Sequence, residues 1–187
     1  MGDSGYLTNQ LLIAMPAMGD PNFAQTVALV CDHGPHGALA LIVNKPLPMR
    51  IGEIFEQLEI QIEAGALTER KVLRGGPMQT DRGFVVHSAG GHWDSTLRVS
   101  ERLQVTTSRD ILAAIAHGEG PGDAIVALGY AGWDGGQLEN EIRANAWLSA
   151  PADRGILFDL PYDARWEAAG RLLGVDLARI SPLSGNA

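Results

Sequence analysis

The chain has 187 residues, of which 45% are hydrophobic and 19% are charged, and its formal net charge is −8. This length and composition predict one globular domain and exclude a disordered chain. Its apolar runs are shorter than the ~20 residues of a membrane-spanning helix, and its first residues lack the basic and apolar regions of a signal peptide. The single cysteine, Cys31, excludes an internal disulfide framework. We therefore expect a soluble, cytoplasmic protein with no membrane partner.

The charge balance argues against direct binding to nucleic acid. Acidic residues outnumber basic residues by 22 to 14, and a negative protein opposes the approach of a polyanion. Nucleic-acid binders usually present a basic surface that releases counterions from phosphates. The densest basic group is interrupted by Glu69 and Asp81, and it consists of Arg70, Lys71, Arg74 and Arg82. Direct DNA or RNA binding is therefore not expected.

The first half of the chain is predicted to be rich in strands. Short, apolar, β-rich runs predict strands at 10–15, 26–32, 38–44, 71–74 and 83–87. Residues 33–37 are expected to join the second and third strands as a hairpin. Because these two strands are nearly continuously apolar, we expect them to be buried on both faces or to line a closed sheet. A helix is predicted between the strands by the spacing of Ile51, Ile54, Phe55 and Leu58.

The next part of the chain combines two short strands with a helix. The strands are predicted at 96–99 and 103–106 as a second hairpin. Residues 107–110 resemble a capping box, with a hydroxyl at the N-cap and an acid three residues later, and they predict the start of a helix. The apolar face of that helix consists of Ile111, Leu112 and Ile115.

Residues 124–148 are predicted to be the segment around which the domain is organised. They indicate a buried strand at 124–130, a glycine-rich turn at 129–136 that holds Trp133, and a helix that ends near Trp147. The turn follows a strand and precedes a helix, which is the setting in which backbone N–H groups bind phosphate. It lacks a lysine, and carboxylates lie close to the helix start, so glycines that permit tight packing are the favoured interpretation.

The last part of the chain predicts a strand at 155–160 and then a helix that starts at Pro161. The residues that this helix is expected to bury are Trp166, Ala169, Leu172 and Leu173. The irregular order of strands and helices predicts a single α+β domain over residues 1–187. We expect frayed termini at about residues 1–8 and 182–187.

Six blocks that occur in order along the chain are similar to a known family. The blocks are LLIAMPAMGDPNF, ALALIVNKPL, RGGPMQTDRGFVVHS, VTTSRDIL, ALGYAGWDGGQLENEIRANAWL and PADRGILFD. They resemble the YqgE/AlgH family of bacterial proteins. The resemblance implies an α+β fold in which a mixed, largely antiparallel, branched sheet is partly closed into a barrel and flanked by helices. It also implies a bacterial cytoplasmic protein without an established activity, although some members are labelled transcriptional regulators.

A polar stripe follows one side of the predicted helix after residue 136. It consists of Gln137, Glu141 and Asn145, and it lies beside an apolar stripe. Burying such groups without partners costs about 1–3 kcal/mol each, so they require partners. One alternative is a structural network that meets the strand ends. The other is a groove in which the stripe, together with Tyr130, Trp133 and Trp147, contacts a ligand or a protein partner.

Asp81, Arg82, His87 and Ser88 form a second candidate cluster. A histidine near a carboxylate and a hydroxyl could act as a general base, which is the basis of a hydrolase hypothesis. No nucleophile-elbow motif accompanies these residues. An Asp–Arg pair beside a strand is more often a structural anchor.

Metal and cofactor binding are not predicted. Cys31, Asp32, His33 and His36 are close in sequence and have zinc-binding side chains, but no second Cys or His pair has a matching spacing. The favoured function is a non-enzymatic binding or regulatory module that acts through a protein partner or small ligand. The alternatives are an undescribed hydrolase and, more weakly, a transcription-linked regulator.

Overall fold

Ten strands form one curled, branched sheet in the computed structural model, which describes residues 5–63, 65 and 67–180. The strands are β1 (Gln10–Ala14), β2 (Val27–Gly34), β3 (Gly37–Ile42), β4 (Pro46–Arg50), β5 (Lys71–Arg74), β6 (Met78–Ser88), β7 (Thr96–Arg98), β8 (Leu103–Thr106), β9 (Ala124–Asp134) and β10 (Trp147–Pro151). The helices are α1 (Ile51–Gln57), α2 (Arg109–Ala116), α3 (Gln137–Arg143) and α4 (Arg165–Arg171). A π-helical turn (Gly155–Asp159) and a 3₁₀ turn (Tyr162–Ala164) precede α4.

The strand order is β10-β1-β2-β3-β9-β6-β8-β7, and β4 and β5 branch from β9. Neighbouring strands are antiparallel, except that β5 runs parallel to β9. The sheet curls into a half-barrel with helices against it. The predicted α+β fold with a mixed, largely antiparallel, branched sheet is therefore confirmed.

The branch depends on a close backbone crossing between the start of β6 and the middle of β9. Up to Leu128, β9 lies between β5 and β6, whereas from Ala131 onward it pairs with β3. Between the two halves, Gly129 has a φ of 78°. A Cβ atom on Gly76 would lie 2.1 Å from the carbonyl carbon of Tyr130. Only glycine fits at this crossing, because any side chain would overlap the backbone of β9.

Helices cover two regions of the sheet. Helices α1 and α2 bury Phe55 and Ile111 against Val85 and Val126, on the strands that meet at the branch. On the other side, α4 buries Trp166, whose Nε1 donates to the carbonyl oxygen of Ala14 at 2.9 Å. None of the helices within the described ranges is long and apolar enough to cross a bilayer.

Three predicted elements are wrong in type or length. Strand β9 continues to Asp134, so most of the predicted glycine-rich turn is strand. Helix α3 ends at Arg143, and Trp147 instead begins β10, which pairs with β1. Residues 155–159 form a π-helical turn rather than a strand. A short apolar run fits either a strand or a buried helical turn, and long-range pairing decides between them.

The predicted apolar faces of two helices are too long. Leu58, Leu172 and Leu173 are 40%, 45% and 41% exposed, because α1 ends at Gln57 and α4 ends at Arg171. Strand β4 and the first half of β6 were not predicted.

Two predictions about segment ends also need correction. Helix α2 has no capping bond from a side chain at its N-cap, and the hydroxyl of Ser108 donates to Asp110 instead. Within the predicted frayed segment 1–8, Leu7 and Thr8 are held by hydrogen bonds to His33. Residues 1–4 and the predicted frayed segment 182–187 lie outside the described residues.

We predict that Gly76→Ala lowers the free energy of unfolding by at least about 3 kcal/mol, because the new methyl group overlaps the β9 backbone. Urea unfolding measures this change. Gly83→Ala, on β6, is the matched control, because its Cβ would meet nothing closer than a leucine side chain at 3.9 Å. Equal losses for the two variants would contradict the role of the crossing.

Candidate functional site

The carboxylate of Glu141 on α3 is the centre of a hydrogen-bond network. Its Oε1 accepts from Trp133 Nε1 at 3.1 Å and from Trp147 Nε1 at 3.0 Å. Its Oε2 accepts from Gln137 Nε2 at 3.0 Å, and Gln137 Oε1 accepts from the backbone N–H of Asp134. Helix α3 is thereby joined to the end of β9 and the start of β10.

The two tryptophans of this network are core residues. Trp133 and Trp147 are 7% and 2% exposed, and their rings contact each other edge to face at 6.1 Å. Phe23 packs against both rings. Because buried indole N–H groups need acceptors, Glu141 supplies the partner that both rings require. This geometry supports the structural alternative for the polar stripe.

The predicted groove does not form around these residues. Tyr130 packs on the opposite face of β9, against Phe84 at 5.9 Å, since residues three apart in a strand point to opposite faces. Its hydroxyl accepts from Gln79. Asn145 is exposed with a φ of 62° and follows the end of α3, so it is outside the Glu141 network. Gln137, Glu141 and Asn145 therefore do not form one continuous polar stripe.

His33 and Glu139 form a partly buried contact that the sequence does not predict. His33 Nδ1 accepts from the backbone N–H of Leu7 at 2.9 Å, so its Nε2 donates to Glu139 Oε1 at 2.8 Å. The hydrogen bond from His33 lowers the pKa of Glu139 below its ordinary value. The two residues are 106 positions apart, and no local pattern relates them.

The four residues considered for zinc have separate partners. Burial, and then the charge of Asp32, raise the pKa of the Cys31 thiol to about 12, so the thiolate that binds metal is strongly disfavoured. His33 is engaged by Glu139, while His36 contacts Asp32 at 3.4 Å on the surface. In the part of the chain that is described, no cluster of three His, Cys, Asp or Glu residues could hold a metal ion.

The second candidate cluster does not converge. His87 is fully buried, and its Nδ1 donates to the backbone carbonyl of Ser88 at 2.8 Å. Its Nε2 then accepts from the hydroxyl of Thr106 at 2.8 Å, which in turn contacts the hydroxyl of Thr96. Burial lowers the pKa of His87 below its ordinary value, although the Ser88 carbonyl opposes this shift. The imidazole therefore ties β6 to β8 and β7.

Asp81 and Arg82 lie far from His87. His87 lies six positions after Asp81 along β6, which corresponds to roughly 20 Å of extended strand. Arg82 points over the ring of Phe84, with its guanidinium carbon 5.1 Å from the ring centre. The hydroxyl oxygen of Ser88 accepts from the backbone N–H of Asp123. The geometry thus gives no support to the hydrolase hypothesis built on these residues.

Asp81 instead lies at an open groove of about 450 Å³ between α1, α2 and the sheet, here named the α1–α2 groove. Its apolar lining includes Met49, Ile54, Leu58, Val85, Leu112 and Val126. Its polar rim consists of Gln57, Asp81, Thr107, Ser108 and Arg109. Arg109 Nη2 donates to the carbonyl oxygen of Leu58 at 2.9 Å and links the end of α1 to the start of α2. The one sequence signal for this groove was the apolar Leu58 at the end of a short helix.

These features define a single-domain α+β protein built on a curled half-barrel with an apolar groove under two helices. The family model described as AlgH-like (DUF179) matches residues 11–178, and the chain belongs to this family. A UPF0301 protein of Thioalkalivibrio sulfidiphilus is 54% identical over 187 residues, which is 100% of both chains. A UPF0301 protein of Azoarcus sp. is 50% identical over 98% of both chains. The resemblance inferred from the six sequence blocks is confirmed.

Two solved structures share the fold. The solution structure of the AlgH protein from Pseudomonas aeruginosa has a TM-score of 0.79 and 47% identity, and the match covers 95% of this chain and 94% of that one. A crystal structure of a protein from Corynebacterium diphtheriae has a TM-score of 0.74 at 18% identity, over 95% and 92% of the two chains. This second likeness concerns the fold alone.

We predict that Glu141→Ala lowers the free energy of unfolding by at least about 2 kcal/mol, because two buried indole N–H groups lose their acceptor. Glu141→Gln should lose less, because its carbonyl oxygen still accepts from the indoles. Urea unfolding gives the energies, and the indole N–H signals of Trp133 and Trp147 report the local change. Glu56→Ala, at an exposed position on α1, should stay within about 0.5 kcal/mol of wild type. A Glu141→Ala variant as stable as this control would contradict the network.

We predict that His87 makes the protein less stable as the pH falls below 6.5. The folded-state pKa is lowered from 6.5, so between 6.5 and the folded-state pKa the unfolded chain binds a proton that the folded chain does not. The contribution of His87 to the free energy of unfolding is therefore fully present above pH 6.5, and it is lost as the pH falls through the folded-state pKa. His87→Gln should be less stable at pH 7 and should show a shallower decline between pH 7 and 5 in urea unfolding. His92→Gln, at an exposed loop position, should keep the wild-type slope, and an unchanged slope in His87→Gln would refute the assignment.

Proposed function

We propose that this protein is a non-enzymatic binding module that takes a small amphiphilic ligand in the α1–α2 groove. The observation that carries the proposal is an apolar groove that the two helices leave open, with polar groups at its rim. Ligand sites in proteins combine these two features, with apolar walls that supply affinity and a few polar groups that orient the ligand.

The size of the groove favours a small molecule over a protein surface. Small-molecule sites typically have volumes of about 300–1,000 Å³, and the groove has about 450 Å³. Stable protein interfaces bury about 800 Å² on each partner. Leu58 is 40% exposed at the groove, and its side chain gains from contact with an apolar ligand body.

The rim favours a ligand with a cationic or hydrogen-bond-donating head. The carboxylate of Asp81 is exposed and has no hydrogen bond or ion pair with another described residue. Arg109 already donates to the carbonyl of Leu58. The net charge of −8 adds a general preference for cations.

The proposal places the protein in the cytoplasm and includes a regulatory role, in which ligand occupancy changes what the protein binds. The buried, protonated thiol of Cys31 is compatible with a reducing compartment. The helices that form the groove lie against the branch of the sheet, so a ligand between them would stabilise this part of the domain.

We predict that octylamine binds in the α1–α2 groove more tightly than octanoate or 1-octanol. A titration followed by methyl NMR should show saturable shifts of the Leu58, Val85 and Leu112 methyl groups. Leu58→Gln should weaken octylamine binding by about tenfold, because the ligand loses an apolar contact.

Leu172→Gln is the matched control, because Leu172 is also exposed but lies just after the end of α4, away from the groove. It should bind octylamine as the wild type does. Shifts spread over the whole surface, no saturation, or equal weakening in the two variants would refute the proposed function.

A further inference from the structure

A second pocket, of about 430 Å³, lies at the opposite end of β6 and β8 from the α1–α2 groove. Its wall includes Asn9, Ser88, Ser100, Glu101 and Arg102, together with an apolar part formed by Leu103 and Phe158. The α1–α2 groove is lined by the other ends of the same two strands. The two cavities share no lining residue, so the second pocket is a separate candidate site.

Asn9 lines this pocket, and its side-chain amide carries a buried acceptor without a partner in the described part of the chain. Two backbone hydrogen bonds fix its main chain. Its N–H donates to the carbonyl oxygen of Val30 at 2.9 Å, and its own carbonyl oxygen accepts from the N–H of Ala152 at 3.1 Å. It has a φ of 68°, a conformation that asparagine tolerates better than most residues. Its Oδ1 is buried and has no hydrogen-bond partner within the described residues. A ligand N–H that reaches this oxygen would remove the cost of leaving it unpaired.

Two serine hydroxyl groups in the pocket wall accept hydrogen bonds but donate none to the described residues. Ser88 Oγ accepts from the backbone N–H of Asp123 at 3.1 Å. Ser100 Oγ accepts from the backbone N–H groups of Arg102 and Leu103, both at 3.1 Å. Neither hydroxyl donates a hydrogen bond to another described residue, so each proton is free for a ligand oxygen.

The charges of the wall are partly neutralised within the protein. Arg154 donates from both Nε and Nη2 to the carboxylate of Asp123, at 2.8 Å each. Glu101 and Arg102 are exposed, and neither side chain has an ion pair with a described residue. The uncommitted charges at the pocket are therefore one carboxylate and one guanidinium. Glu101 would repel a purely anionic ligand, and Arg102 would repel a purely cationic ligand.

We propose that this pocket binds a small zwitterion, an α-amino acid or dipeptide with an apolar side chain. Arg102 and the serine hydroxyls bind the carboxylate, while Glu101 and Asn9 Oδ1 accept hydrogen bonds from the ammonium group. The apolar side chain lies against Leu103 and Phe158. This inference is independent of the α1–α2 groove and of its ligand.

The test is a ¹H–¹⁵N NMR titration of the whole chain with L-leucine and leucyl-leucine. At least one of them should shift the amide signals of Asn9, Ser88 and Leu103 in a saturable way. N-acetyl-leucine lacks the ammonium group and leucinamide lacks the carboxylate, so each should bind at least about tenfold more weakly than L-leucine. Absence of shifts with both zwitterions at millimolar concentration, or a derivative that binds as tightly as L-leucine, would overturn the proposal.

Two variants locate the site. Arg102→Gln removes the free guanidinium, and Asn9→Gly removes the unpaired amide while permitting the positive φ. Each should weaken zwitterion binding by about tenfold, with the dispersed amide spectrum of a folded protein. Arg171→Gln, at an exposed position on α4, should bind as the wild type does. Wild-type affinity in Arg102→Gln would overturn the proposal whether or not Asn9→Gly folds.

Discussion

The architecture depends on the close crossing of two backbones, where Gly75 and Gly76 pass the middle of β9. Gly75 connects three parts of the sheet, because its N–H donates to Leu128 at 2.7 Å and its carbonyl accepts from Ile42 at 2.8 Å. The positive φ of Gly129 lets β9 bend at this point and exchange its partners β5 and β6 for β3. A single strand thereby belongs to both arms of a branched sheet. Since side chains cannot occupy this crossing, the branch is fixed by main-chain geometry rather than by the apolar core.

Hydrogen bonds from polar side chains hold together the elements that lie away from the branch. Glu141 joins α3 to the ends of β9 and β10, and His87 joins β6 to β8 and β7 through Thr106. From the sequence, Glu141 is a candidate for ligand or partner contact and His87 is a candidate general base. Their hydrogen bonds are instead satisfied within the protein, as buried polar groups require. The binding sites that we propose lie elsewhere, at the α1–α2 groove and at the second pocket, where Asp81, Asn9 and Arg102 retain unused bonding capacity.

Local patterns were sufficient to predict most strands, because apolar runs between glycines and prolines specify strand position. The same patterns could not predict that Trp147 begins a strand, since its partner Ala14 is more than a hundred residues away. They placed Gln137 and Glu141 on the same side of the helix, where the two side chains are hydrogen-bonded, but they did not show that both indoles donate to the same carboxylate. The α1–α2 groove was missed because it depends on where α1 ends and on how α2 packs beside it. Asp81 was identified as a candidate residue, but with partners that the fold places far away.

Because β9 belongs to both arms of the sheet, it should couple them into one cooperative unit. Native-state hydrogen exchange measures this most directly, because it gives a separate opening free energy for the amides of each half of the strand. We expect protected amides in 124–128 and in 131–134 to exchange with the same free energy, equal to that of global unfolding. A markedly lower free energy for one half would show that the arms open independently and that β9 does not couple them.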